Sequence, residues 1–169
     1  MKAEERRAVI AQTLTADRPI SATALAGRFS VSRQIIVGDI ALLRAQGMDI
    51  TATPRGYVLG SGRDAGIRRT VACVHGFDGM EHELNIMVDN GCTVLDVVIE
   101  HAVYGQLTGE LHLRSRHDVA EFMARSRENG GSPLSTLTGG IHTHTLLCPD
   151  EESFERCCAE LRGAGLLLE

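Results

Sequence analysis

With 169 residues, 43% of them hydrophobic and only four prolines, the chain has the composition of one ordinary globular domain or two small ones, and not that of a disordered segment. Its longest apolar runs, 93–99 and 166–168, fall far short of the roughly 20 residues of a membrane span. The net charge of −5 is unevenly spread: up to Gly62 there are eight Lys/Arg against five Asp/Glu, and beyond it nine against seventeen, with all seven histidines in the acidic part.

The first residues, Met1 to Arg7, are charged and mixed, with no apolar signal-peptide core behind them, so a cytoplasmic protein without membrane contact is expected. Five cysteines, Cys73, Cys92, Cys148, Cys157 and Cys158, are an odd set with no C-x-x-C pair, which argues against a disulfide framework or a zinc ribbon and for reduced thiols. Cys73 and Cys148 sit among apolar neighbours and read as core residues, while the adjacent Cys157 and Cys158 have no reading from sequence.

From Ala3 to Ala16 apolar residues fall at helical spacing, and Arg18-Pro19 closes that helix. Ser21 is placed to cap a second helix running to about Phe29. After a short turn at Ser30-Val31, Ser32 caps a third, Arg33–Arg44, whose inner face is Ile36, Ile40 and Leu43. Two short helices joined by a tight turn are the helix-turn-helix pattern. Asp49–Thr53 and Tyr57–Leu59, around Pro54-Arg55-Gly56, then read as a two-stranded wing.

In such a module Ser32, Arg33 and Gln34 at the start of the third helix face the major groove, and Arg55 at the wing tip is placed for phosphate or the minor groove. One module offers a small interface, so a homodimer on a double-stranded operator with paired half-sites is expected. The competing reading is a three-helix packing module with solvated charges, since +3 is a weak electrostatic footprint.

The Gly/Ser-rich stretch from Gly60 to Gly66 places a boundary. The expected organisation is a winged helix-turn-helix domain over 1–60, a linker over 61–67, and a second domain over 68–169. There, Arg69–His75 reads as a strand, Met80–Asn90 as a helix, Val94–Glu100 and Gly109–Leu113 as strands, and Arg116–Asn129 as a helix. A strand at Leu137–Leu147 follows, then a helix from Glu151 to about Ala164, with Leu166–Leu168 able to add an edge strand. Mixed strands and helices make the fold class α+β.

The chemistry concentrates on Ile141-His142-Thr143-His144. Side chains at i and i+2 of a strand leave one face, so both imidazoles aim at one spot. His75 at a strand end and Glu83 in the following helix are the best-placed partners, and three His with one carboxylate suit Zn, Ni, Fe or Mn. His82 points about 100° away from Glu83 around the helix, and His112 and His117 read as ordinary surface residues. H-x-H pairs also occur in metal-dependent hydrolases, but only 107 residues follow Gly62, and no general base stands clearly beside the pair, although Glu83 and Glu100 stay open for that role. A purely structural metal site is the third reading.

Three segments carry a resemblance over nearly the whole length: Ser32–Gly47 with Ala52–Leu59, Val98–Gly105 around His101, and Gly139–Phe154 around His142 and His144. In them the chain resembles the niacin-responsive transcriptional repressors (NiaR type), in which a helix-turn-helix module precedes a 3H domain named for its histidines. The resemblance places a metal on His75, Glu83, His142 and His144, the same four the residues suggest, and assigns His101 to the histidine set without making it a clear ligand. With Tyr104 beside it, His101 becomes an effector-associated candidate. The resemblance further implies repression of genes of NAD synthesis or niacin uptake, with nicotinic acid, or alternatively nicotinamide, as corepressor. Ala102, where members commonly have Pro, and Gly38, where a polar residue is usual, depart from the pattern.

Overall fold

The computed structural model describes residues 1–16, 18–60, 66–130 and 132–169. The chain divides into two compact units, Met1–Asp64 and Ala65–Glu169. Of the expected linker, 61–65 lie outside the described residues, and its last position, Ile67, already opens a strand.

The first unit runs α1 (Ala3–Thr13), α2 (Ala22–Phe29), α3 (Arg33–Ala45), β1 (Ile50–Thr53) and β2 (Gly56–Leu59). Both serine caps form: Ser21 Oγ accepts from the Ala24 amide at 3.0 Å and Ser32 Oγ from the Ile35 amide at 3.3 Å. Between α2 and α3, Ser30 takes a left-handed conformation, φ 53°, which turns the chain sharply enough to set two short helices against one core. That core is Ile10, Leu14, Leu25, Ile36, Ile40, Leu43 and Ile50. The wing hairpin is antiparallel, with Thr53 opposite Gly56. Gly56 is required there: at φ 138° a Cβ would come within 2.4 Å of the Ile20 carbonyl carbon, whose strand-like segment bridges to Tyr57.

A buried ion pair that the hydrophobic pattern does not announce ties α1 to α3. Arg6 donates Nε–H to Asp39 Oδ2 at 2.6 Å and Nη2–H to Oδ1 at 3.3 Å, and Asp39 is 4% exposed. The two parallel bonds fix helix rotation as well as contact.

The second unit runs β3 (Ile67–Val74), α4 (Phe77–Asp89), β4 (Thr93–His101), β5 (Gly105–Leu113), α5 (Arg116–Glu128), a 3-10 turn (Leu134–Thr138), β6 (Ile141–Cys148) and α6 (Glu151–Gly163). The sheet is antiparallel in the order β3-β6-β4-β5. Alternate residues of β6, His142, His144, Leu146 and Cys148, are buried. Leu146 and Cys148 share one core with Met80, Leu84 and Met87 of α4, Val119 and Met123 of α5, and Cys157 and Leu161 of α6. The segment after α6 pairs with the outer edge of β3: the Leu168 amide donates to the Ala72 carbonyl at 2.9 Å and the Val74 amide to the Leu166 carbonyl at 3.0 Å. No helix among the described residues is long and apolar enough to cross a membrane.

Two strand starts differ most from those the sequence suggests. β6 begins at Ile141 and not at Leu137, because Gly139 and Gly140 take φ 63° and 93°, outside strand geometry. Leu134–Thr138 therefore closes as a 3-10 turn despite its strand-like composition. β5 begins at Gly105, four residues early, so 102–104 form the tip of a long hairpin.

Candidate metal centre

The opening of β6 and the middle of α4 meet over the sheet face. Three imidazoles, His75 just past β3 and His142 and His144 on β6, surround the carboxylate of Glu83 on α4. His75 Nε2 lies 2.8 Å from Glu83 Oε2, His142 Nε2 lies 3.1 Å from Oε1, and His144 Nε2 lies 3.2 Å from Oε2. Glu83 is 0% exposed. The rings of His142 stand edge-on to those of His75 and His144, with centroids 4.8 and 4.9 Å apart.

The backbone sets which nitrogen each ring presents. His75 Nδ1 lies 2.7 Å from the Gly76 carbonyl, His142 Nδ1 lies 2.8 Å from the Gly140 carbonyl, and His144 Nδ1 lies 2.6 Å from the Asp96 carbonyl. A carbonyl oxygen only accepts, so Nδ1 carries a proton in all three, and each ring turns Nε2 toward Glu83. This is the orientation that metal-binding histidines receive from their outer partners.

With all three rings neutral, Nε2 lone pairs would face a buried carboxylate, so the cluster calls for positive charge, as a ring proton or as a bound cation. Burial pushes the Glu83 carboxyl up, but contacts with His142, His144 and His75 outweigh it and hold the group well below its ordinary range. Burial likewise opposes charge on His75 and His144, and the Glu83 carboxylate overrides it and raises both. The site thus favours cationic content around an ionised carboxylate. His75 Nε2 is buried and, though near Glu83, makes no hydrogen bond. Among the described residues, the donor atoms of His75, Glu83 and His142 lie within 4.8 Å of one another; His144 lies beside this triad and not inside it. Three imidazole nitrogens and a carboxylate are a borderline donor set that fits a divalent transition cation, which would also give the unpartnered Nε2 a bond.

Small residues make room for the rings. A Cβ on Gly79 would stand 2.8 Å from the Cβ of His75, and one on Gly140 would stand 2.5 Å from the His75 carbonyl oxygen. Neither Gly79 nor Gly140, nor the Asp96 carbonyl, emerges from the search for ligands in the sequence, because each acts through backbone position. The Gly139-Gly140 pair ahead of the H-x-H strand is the one signal that marks them.

The other candidates lie elsewhere. His101 Nδ1 accepts from the amides of Val103 and Tyr104 at 3.2 and 3.3 Å, and its ring lies 5.1 Å from that of the exposed Tyr104, so both belong to the β4–β5 hairpin end and neither joins the four-residue cluster. His82 is exposed on α4, His112 meets Glu110 at 2.8 Å, and His117 lies 3.6 Å from Glu121. In the first unit Arg33 and Gln34 are exposed on the first turn of α3, Ser32 caps it, and Arg55 occupies the wing turn half-buried, its amide donating to Thr53 Oγ1 at 3.2 Å.

Comparison with known proteins matches residues 68–169 to the 3H domain and residues 6–58 to an HTH domain. The chain is 41% identical over 169 residues to a protein of Thermotoga maritima described as probable transcription repressor NiaR, covering 100% of this chain and 96% of that one. It is also 41% identical over 154 residues to the transcription repressor NadR of Bacillus subtilis, covering 89% of this chain and 86% of that protein.

Proposed function

The chain belongs to the 3H-domain family and carries an HTH domain ahead of its 3H domain, and we propose that it is a metal-containing transcription repressor of genes for NAD synthesis or niacin uptake, with nicotinic acid as corepressor. The observation that carries the sensing half of this reading is the cluster itself: three imidazole Nε2 atoms turned by backbone carbonyls onto one buried carboxylate. Relatives named as repressors favour a regulator over the hydrolase that an H-x-H pair also suggests.

In this reading His75, Glu83, His142 and His144 hold a Zn, Ni, Fe or Mn ion. When bound, the cation supplies a Lewis-acid position able to take the carboxylate of a pyridine acid. The protein's own part is orientation. Gly76, Gly140 and Asp96 fix the rings through their carbonyls, α4 fixes Glu83, and burial keeps bulk water from competing. His101 and Tyr104 at the hairpin end are the effector-associated residues of this reading.

DNA contact falls to the first unit. Ser32, Arg33 and Gln34 face the major groove, where Arg33 and Gln34 have the side chains that read guanine and adenine edges in pairs of hydrogen bonds, and Arg55 reaches phosphate or the minor groove. A dimer doubles the small interface of one such unit and matches paired half-sites. Coupling of about 1–3 kcal/mol between the two ligands changes DNA affinity roughly 5- to 150-fold. The test is the affinity of metal-loaded protein for a duplex obtained by in vitro selection, with and without nicotinate. Tightening in that range supports the reading, and equal affinities overturn the corepressor.

A further inference from the structure

The second unit holds another cluster of reactive side chains, which metal and effector binding leave unused. Cys92 leads into β4 and Cys148 ends β6. These strands run antiparallel with Thr93 opposite Leu147 and Val94 opposite Leu146, so the same register carried one residue outward sets Cys92 opposite Cys148. Both are core residues, 1% and 0% exposed, and their Sγ atoms are 2.7 Å apart. A disulfide bond is about 2.05 Å long and spans Cα atoms about 4.4–6.8 Å apart, a range that includes the ~4.5–5.5 Å of directly opposed antiparallel residues. Strand register therefore supplies the spacing a disulfide needs without moving either backbone far.

Two other thiols lie near. Cys157 of α6 is 0% exposed in the same core and interacts with Cys92, and Cys158 beside it is half-buried. Among the described residues, the set of three or more donors converging on one point is His75, Glu83 and His142, and not a set of thiols. A two-electron couple accounts for the close sulfur pair better than a cation cage does.

We propose that Cys92 and Cys148 are a reversible redox pair, oxidised by a hydroperoxide to a disulfide that ties the start of β4 to the end of β6. Two S–H bonds break and one S–S bond forms. The electron pair passes to the peroxide O–O bond, which cleaves, and the two thiol protons leave on its oxygens, as two waters when the oxidant is hydrogen peroxide. Contact with Cys157 and burial raise Cys92, while burial and contact with Cys92 push Cys148 up to about 12, so neither thiol is a ready nucleophile in the closed fold. Oxidation accordingly waits on opening of this last rung, which the exposed Gly91 and Pro149 flank. The tie joins the strand that carries His142 and His144 to the strand whose Asp96 carbonyl orients His144. Oxidation state and site rigidity are thereby linked.

The test treats the full chain with hydrogen peroxide, then alkylates it in denaturant and weighs it. The reduced protein should take up five alkyl groups and the oxidised protein three, with dithiothreitol restoring five and a linked peptide containing Cys92 and Cys148. Retention of five groups, a linkage through Cys157 or Cys158, or a loss that dithiothreitol does not reverse would each overturn the proposal. Cys157→Ala should still lose two groups; if it loses none, the bond belongs to Cys157 and the assignment fails.

Discussion

His144 and Glu83 lie 61 residues apart in sequence, yet His144 Nε2 sits 3.2 Å from Glu83 Oε2 while its Nδ1 is held by the Asp96 carbonyl of the neighbouring strand. The ring is thus fixed from both sides before any ligand arrives, which is the condition for tight binding by few residues.

Glu83→Gln keeps the volume and removes the charge that opposes three imidazoles. The variant should fold, judged by circular dichroism, and bind divalent transition metal at least ~10-fold more weakly in competition with a chelator. Unchanged affinity would show that the carboxylate is not a ligand.

Gly140→Ala places a methyl 2.5 Å from the His75 carbonyl oxygen at a φ of 93°. Strain of about 1–3 kcal/mol is expected. Because the Gly140 carbonyl also holds His142 Nδ1, metal affinity should fall together with thermal stability, a pairing readable by calorimetry. Gly139→Ala, strained by its φ of 63° but with open space around its Cβ, should cost less stability than Gly140→Ala and leave metal binding nearly intact.

Asp39→Ala strands the buried Arg6 guanidinium. A lower melting temperature is expected for the first unit, which has a small core to offset the loss. Hydrogen exchange should rise in peptides from residues 1–60, while metal binding by the second unit stays as it was.

Arg33→Ala should weaken binding to a selected operator roughly 5- to 150-fold, equivalent to about 1–3 kcal/mol, and relax base preference at one position in each half-site. A uniform loss across all sequences would instead place Arg33 on phosphate.

Much of this was legible in the residues. Ser21 and Ser32 announce their helices, Pro54-Arg55-Gly56 announces the wing, and the period of two in the H-x-H strand sends both rings to one face. The parts that were not legible depend on distance in sequence. Arg6 and Asp39 read as surface charges until α1 and α3 are packed, and Cys92 and Cys148 pair only through the register of β4 on β6. Leu137 and Thr138 have strand composition, but two glycines at positive φ delay the strand. Asp96 contributes to the site by its carbonyl, which side-chain identity does not reveal.

The central claim, that this cluster holds a metal and through it senses nicotinate, is tested most directly by calorimetric titration of metal-loaded and metal-stripped protein with nicotinate. The account predicts saturable binding, one nicotinate per chain, to the loaded protein and its loss after stripping, with recovery on reloading. Equal binding to both forms, or none to the loaded protein, would contradict it.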